Sequence, residues 1–350
     1  MAEPITAVVF GAGVIGLTTA TELLRQYPTA SITVVARHLP GDQSTGDYCS
    51  SWAGANWISY DDNWGCQAAY EKASFQRFRD LDLRSGVKRV PLRLLYDDED
   101  IKIHGKEGLR QKWYRDLVGG LEEVNSGDLP AWASLGLDLT TFMINPNVYL
   151  PWLQSRLLHA GVQFLRRSYE HIDEVFEDFP SATTVYNCSG LGARTLGGVQ
   201  DEKVHSIKGQ TILLAEPKIP VPRMYMHKIN KDEFTHVFPR PLGGGIIIGG
   251  IRLHHDYDEK PDMQLAERIK RRACDICPEL GRPENLKVIR HNVGFRPSRQ
   301  GGVRIEREKR GGKWLIHNYG AGGTGYQASW GMAEHAVKLF TETTLEKAKL

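Results

Sequence analysis

An apolar run, Ala7-Val8-Val9-Phe10, leads straight into Gly11-Ala12-Gly13-Val14-Ile15-Gly16, and the next stretch, Leu17-Thr18-Thr19-Ala20-Thr21-Glu22-Leu23-Leu24, reads as a helix. Strand, glycine turn and helix in that order open a dinucleotide-binding fold, and a second strand, Ser31-Ile32-Thr33-Val34-Val35-Ala36, follows at βαβ spacing. The glycines have separate physical jobs. Gly11 makes a tight turn, Gly13 lets the backbone approach a pyrophosphate, and Gly16 brings helix close to strand. Val14 and Ile15 begin the helix, whose unpaired N–H groups and positive dipole end suit phosphate.

One departure matters. The fingerprint calls for an acid at the end of the second strand to hold a ribose hydroxyl, yet Arg37 and His38 stand there. An arginine suits the extra phosphate of a phosphorylated nicotinamide cofactor, or lies along an adenine or a pyrophosphate. This segment alone therefore leaves the dinucleotide open.

The 350 residues, 41% of them hydrophobic, suffice for two domains or one large one. A net charge of +2 gives no steering field and argues against a nucleic-acid partner. The densest basic run, Arg268-Ile269-Lys270-Arg271-Arg272, reads as a solvated helix face. No run approaches the length of a membrane span and none reads as a secretory signal, so a soluble intracellular protein is expected. Five cysteines, Cys49, Cys66, Cys188, Cys274 and Cys277, are odd in number and irregular in spacing, against a secreted disulfide framework. Cys274 and Cys277 have redox-motif spacing without its strand-to-helix context, which leaves a disulfide there open; no metal site is expected.

Further along, 67–78 and 146–158 read as helices, and 90–96 and 161–165 as strands. Residues 184–190 read as a buried strand ending at a glycine, a further crossover of the nucleotide sheet. Three strand-like runs at 210–215, 235–239 and 245–250 suggest antiparallel strands of a second domain, with 216–234 a long polar loop able to cover a site.

The strongest constellation joins Gly294-Phe295-Arg296-Pro297-Ser298-Arg299 to His317-Asn318-Tyr319-Gly320-Ala321-Gly322-Gly323-Thr324-Gly325 near the finish. Together with Gly11-x-Gly13-x-x-Gly16, Trp52-Ala53-Gly54-Ala55-Asn56-Trp57, Asn187-Cys188-Ser189-Gly190 and Phe238-Pro239-Arg240-Pro241, these motifs fall in one order across nearly the whole chain. In that order the chain resembles the flavin-dependent D-amino-acid oxidases and their close relatives, the D-aspartate oxidases. The resemblance implies FAD as cofactor and an α/β fold. Its Rossmann-like FAD-binding domain would be assembled from discontinuous segments, 1–75, 146–200 and 289–345. An α+β substrate domain with an antiparallel sheet would take 76–145 and 201–288, with the loop 216–234 as its lid and 346–350 as a C-terminal tail.

It also implies oxidative deamination of D-amino acids to 2-oxo acids, ammonia and hydrogen peroxide, with hydride passing from substrate Cα to flavin N5 and O2 as acceptor. A planar guanidinium grips a carboxylate through two parallel charge-assisted hydrogen bonds, which makes Arg296 the leading substrate anchor. Gly323 offers only its carbonyl, toward the substrate amine. Gly322, Gly323, Thr324, Gly325, Tyr326 and Gln327 would lie at the pyrimidine end of the flavin, where N–H groups stabilise negative charge. Ser50, Gly54, Ala55 and Asn56 would follow the flavin and its phosphates, and Ser189 would approach from the third strand. Trp57 reads as core and Arg299 as structural. No general base is expected.

Two positions depart from the family pattern. His236 stands where the oxidases usually place a carboxylate-binding tyrosine, with Tyr225 of the lid able to supply the phenol instead. Arg252, after Gly249-Gly250-Ile251, looks like the arginine of D-aspartate oxidases, though some fungal-type broad oxidases carry one too, and makes an acidic D-amino acid the alternative substrate; Arg93 is a further cation with reach. The alternatives are a nicotinamide-dependent dehydrogenase or an inactive flavin-binding protein; a serine hydrolase lacks its Gly-x-Ser-x-Gly elbow. The C-terminal Ala348-Lys349-Leu350 differs from a peroxisomal address by one serine-to-alanine change, so the peroxisome matrix and its import receptor are expected. The sequence leaves a homodimer open.

Overall fold

The computed structural model describes residues 5–42, 46–59 and 65–347, with side chains to residue 341. The Ala348-Lys349-Leu350 tail lies outside the described residues.

In chain order, β1 (Thr6–Phe10), α1 (Val14–Gln26) and β2 (Ser31–Ala36) form the opening unit, followed by α2 (Cys66–Arg79), β3 (Val87–Tyr96), α3 (Asp98–Arg110), α4 (Arg115–Val118), β4 (Glu122–Glu123) and β5 (Leu135–Ile144). The middle of the chain gives α5 (Pro146–His159), β6 (Gln163–Arg166), α6 (Ile172–Asp178) and β7 (Thr184–Asn187). Then come β8 (Val204–Leu214), β9 (Met224–Lys228), β10 (Glu233–Pro239), β11 (Ile246–Ile251), β12 (Leu253–His254), α7 (Met263–Ile276), β13 (Val288–Arg299), β14 (Arg304–Arg310), β15 (Lys313–Tyr319) and α8 (Gly325–Lys347).

Two sheets result. The first runs β14-β15-β7-β1-β2-β6 and is parallel except for the β14–β15 hairpin. Its strands come from three separated stretches, 6–36, 163–187 and 304–319, as an assembly from discontinuous segments requires. Parallel strands buried on both faces read as continuous apolar runs, which is how β1 and β2 are written. The second sheet runs β12-β8-β11-β10-β9-β3-β5-β4, with β13 also paired to β8; all its pairs are antiparallel except β3–β9. The mixed α/β architecture is the expected one.

Two details differ. The stretch 216–234 is not one polar loop, because Met224-Tyr225-Met226 is buried in β9, between β10 and β3. β13, placed with the nucleotide portion by its position after residue 288, spans Val204 to Leu214 of β8 in the second sheet instead. That pairing carries the chain from one sheet to the other and puts Arg296 between them.

Beneath the first sheet α1 packs on α8 and α5, and α2 packs on α8. Trp57 is fully buried, edge-on to Phe75 and Tyr114, and donates its indole N–H to the Glu71 carbonyl, so it is core. Arg299 pairs with Asp201 at 2.7 Å, and Asp201 also accepts from the Tyr319 hydroxyl at 2.9 Å, so this arginine ties β13 to β15.

Candidate active site

The nucleotide turn is built to a tolerance that only glycine meets. Gly11 has φ +118, and a Cβ there would lie 2.4 Å from the Cys188 carbonyl oxygen. A Cβ on Gly16 would lie 1.9 Å from the Gly11 carbonyl oxygen. Gly16 therefore does not line the cavity; its absent side chain lets α1 sit against the turn. The Val14 N–H at the helix start donates to Ser50 Oγ at 3.0 Å, while Tyr326 donates its hydroxyl to the Ser50 carbonyl at 2.7 Å. Tyr48 donates to the Ala12 carbonyl at 2.8 Å. Two segments remote in sequence, at Val14 and Tyr326, thus converge on Ser50.

At the end of β2, Arg37 pairs with Asp47 and donates from Nε to His38 Nε2 at 3.0 Å. Asp47 brings to the cavity the carboxylate that β2 itself lacks, from a loop ten residues on.

One cavity of about 660 Å³ runs from these residues to the second sheet. Of the residues expected at the site, it is lined by Gly11, Gly13, Val14, Ile15, Arg37, His38, Ser50, Gly54, Ala55, Asn56, Ser189, His236, Arg252, Arg296, Gly322, Gly323, Gly325, Tyr326 and Gln327. At its far end, Arg296 on β13 lies across from β8, whose Gly209 leaves the space its guanidinium occupies: a Cβ there would fall 2.6 Å from both Nη atoms. Arg296 Nη1 donates to the Ile251 carbonyl at 3.1 Å. Arg252 follows directly, its guanidinium 4.9 Å over the Phe234 ring. His236 is stacked between Phe234 and Phe238, with ring centroids 5.3 and 4.4 Å away. Neither of its ring nitrogens has a hydrogen-bond partner among the described residues. Burial first, then the charges of Arg296, Arg252 and Arg240, push its pKa down to about 3, so the ring is neutral at physiological pH. Gly323 faces Arg296, with space for a Cβ 3.6 Å from Arg296 Cδ.

Three expected contributors lie elsewhere. Tyr225 points its hydroxyl at Glu279, 3.3 Å away, inside the core beneath α7, because β9 alternation turns it from the cavity. Thr324 spends its hydroxyl on the Ala321 carbonyl at 2.7 Å and accepts from Gln67 at 2.9 Å. Arg93 is held by both oxygens of Asp138 at 2.8 Å. All five cysteines are free, Cys274 and Cys277 included. The cavity adds residues the sequence did not single out: Gly209, Asp47, and the buried Asn292, which donates to Thr211 at 3.2 Å.

The residues present fit FAD. The turn brings bare backbone to the cavity at Gly11 and Gly13, and Ser189, just past β7, lines the same space with a buried Oγ that has no hydrogen-bond partner among the described residues. The far end holds two guanidinium groups and a neutral imidazole, a donor set suited to a small carboxylate placed beside the cofactor.

Comparison with known proteins agrees. The D-amino-acid oxidase of Schizosaccharomyces pombe is 38% identical, covering 99% of this chain and 98% of that protein. The D-aspartate oxidase of Talaromyces thermophilus is 31% identical, covering 98% and 97%. Among solved structures, L-proline dehydrogenase from P. horikoshii superposes with a TM-score of 0.76 over 98% of this chain and 95% of its own, at 17% identity, a likeness of fold. The family described as DAO, FAD dependent oxidoreductase, matches residues 6–339, and the chain belongs to it.

Proposed function

We propose that this protein is a D-amino-acid oxidase: it deaminates D-amino acids oxidatively to 2-oxo acids and ammonia, with O2 as acceptor. The observation that carries this reading is the meeting of Arg296 and Gly323 in the cavity that begins at the glycine turn. The chemistry FAD supplies when bound is two-electron oxidation of the substrate Cα–N bond, with dioxygen as final acceptor and hydrogen peroxide as its product.

The protein's part is positioning. The guanidinium of Arg296 takes the substrate carboxylate, and its hold on the Ile251 carbonyl fixes the plane in which it does so. The Gly323 carbonyl accepts from the substrate amine and sets which face of Cα turns toward the cofactor. Neutral His236 can donate one further hydrogen bond to the carboxylate. His236 is held near 3, and burial raises the Cys49 thiol to about 11, so neither of these two groups is suited to take the amine's proton near neutral pH. The proton that leaves is the amine's own, lost to water before the substrate is oxidised. The aromatic walls Phe234, Phe238 and Trp52 keep the reacting centre dry.

A second reading, preference for acidic D-amino acids, is favoured by Arg252, whose guanidinium lines the same cavity and suits a side-chain carboxylate. Anaerobic bleaching of the flavin by D-alanine and D-aspartate, with both L-enantiomers as controls, tests both readings. Faster bleaching by D-alanine supports the neutral preference, the reverse supports the acidic one, and no bleaching by either overturns the oxidase reading. The Ala348-Lys349-Leu350 ending supports import into the peroxisome by a tail receptor; a fluorescent fusion that stays cytosolic with its tail intact would refute this.

A further inference from the structure

We propose that His205 and His254 form a binding site for a divalent transition-metal ion at the β12 end of the second sheet. His205 stands on β8 and His254 on β12, which pairs antiparallel with β8 through Leu253–Lys208 and His254–Ile207. Across this pair His205 Nε2 lies 3.4 Å from His254 Nδ1. The other ring nitrogen of His205, Nδ1, lies 3.2 Å from the Lys203 carbonyl, which can only accept. The proton of a neutral His205 ring therefore sits on Nδ1, and Nε2 keeps its lone pair toward His254. Metal-ligating histidines are held in this way, by a backbone carbonyl on the far nitrogen.

The separation also suits a shared ion. Hydrogen bonds from ring N–H groups cluster near about 2.9–3.0 Å. Two imidazole nitrogens bound to one tetrahedral ion at about 2.0–2.1 Å stand about 3.3–3.4 Å apart. His255 stacks on His205, with centroids 4.7 Å apart and planes 25° apart, and its own backbone N–H is anchored on the Ser206 carbonyl at 2.8 Å. This stack holds the His205 ring in plane. His254 is exposed, so an ion reaches the pair from solvent, and water completes its coordination. Imidazole nitrogens suit Zn²⁺, Ni²⁺ and Cu²⁺, with Cu²⁺ the tightest.

Among the described residues, the clustered set Asp97, Asp100 and His227 has both its carboxylates engaged in capping α3: Asp97 accepts from the N–H groups of Glu99 and Asp100, and Asp100 accepts from that of Asp97. The histidine pair has a consequence for the cavity. β12 continues from Arg252, and β8 carries Gly209, so an ion on the pair staples together the strands that place both guanidinium groups.

Calorimetric titration of the untagged, FAD-loaded protein with Zn²⁺, Ni²⁺ and Cu²⁺ tests the proposal. The expected result is one ion per chain, with affinity at least tenfold weaker in H205A and in H254A, while the flavin spectrum and unfolding midpoint stay in place. Zn²⁺ is also expected to slow amide hydrogen exchange over 253–258. Absence of stoichiometric binding, or binding that survives in H205A/H254A and is lost in H227A, overturns the site; unchanged exchange on loading overturns the staple.

Discussion

The Nε of Arg240 donates to the Gly54 carbonyl at 2.7 Å, a bond between residues 186 apart that pins the loop 53–56 to the end of β10. Nη2 makes a second bond, to Ala53 at 2.6 Å. The guanidinium is buried, its Nη1 has no partner among the described residues, and burial pushes its pKa down to about 10. A buried cation held by carbonyls alone gives little net stability, since its desolvation offsets its hydrogen bonds. Its effect falls on where 53–56 stand. R240M is therefore expected to leave the melting temperature of the apoprotein within a few degrees while weakening FAD at least tenfold, about 1.4 kcal/mol. R240K should fall between. Fluorescence titration of the apoproteins with FAD measures this, and equal affinities would refute it.

Arg296 depends on Gly209 for its room. G209A places a Cβ 2.6 Å from both Nη atoms, which pushes the guanidinium off its hold on the Ile251 carbonyl. Loss of a carboxylate's charged partner costs about 3–4 kcal/mol, so the anaerobic reduction rate at low substrate should fall by about 10²–10³ with FAD still bound. G323A, whose Cβ makes an ordinary 3.6 Å contact with Arg296 Cδ, should stay within a few-fold of the parent. Similar losses in the two variants would refute this account of the pocket.

The nucleotide turn was legible in the sequence because its glycines fall at the spacing Gly11-x-Gly13-x-x-Gly16 between an apolar strand and a helix; in the structure each faces a neighbour within 3 Å. Arg296 was legible because a motif surrounds it. Gly209 was not, since its reason lies on another strand. Tyr225 was misplaced because Met224-Tyr225-Met226 is a short apolar run among Pro, Arg and Lys; only its pairing with β3 and β10 shows that the hydroxyl points into the core. β5 left a signal in the alternation Leu135, Leu137, Leu139, which period-2 reading would find, but ten residues of partner in β3 are what complete it. Asp47 stayed hidden because a loop, not β2, delivers it to Arg37.

On the acidic-substrate reading, Arg252 separates substrates by charge. A methionine there keeps an unbranched apolar side chain and removes the cation that lies over Phe234. R252M should lower kcat/KM for D-aspartate by about 30-fold, roughly 2 kcal/mol, while D-alanine changes less than about threefold. Steady-state oxygen uptake with the two substrates gives the ratio. A ratio that does not move would place Arg252 outside substrate binding.

His236 is expected to make the fold acid-sensitive without making the reaction pH-sensitive. Its folded pKa, about 3, lies below the ordinary histidine value of 6.5, because burial and three nearby guanidinium groups oppose the charged ring. The neutral ring's contribution is therefore complete above pH 6.5 and is lost as pH falls toward 3, by about 1.4 kcal/mol for each unit. His317, held near 4 by burial and Arg304, acts in the same direction. H236F keeps an aromatic ring between Phe234 and Phe238 and removes the titration, so its melting temperature should fall less steeply between pH 6.5 and 4 than the parent's. Because the ring is neutral throughout pH 6–9, H236N should leave the pH dependence of kcat/KM in that range unshifted, whatever its effect on the absolute rate. A parent and an H236F variant that lose stability in parallel on acidification would show that another group carries the proton.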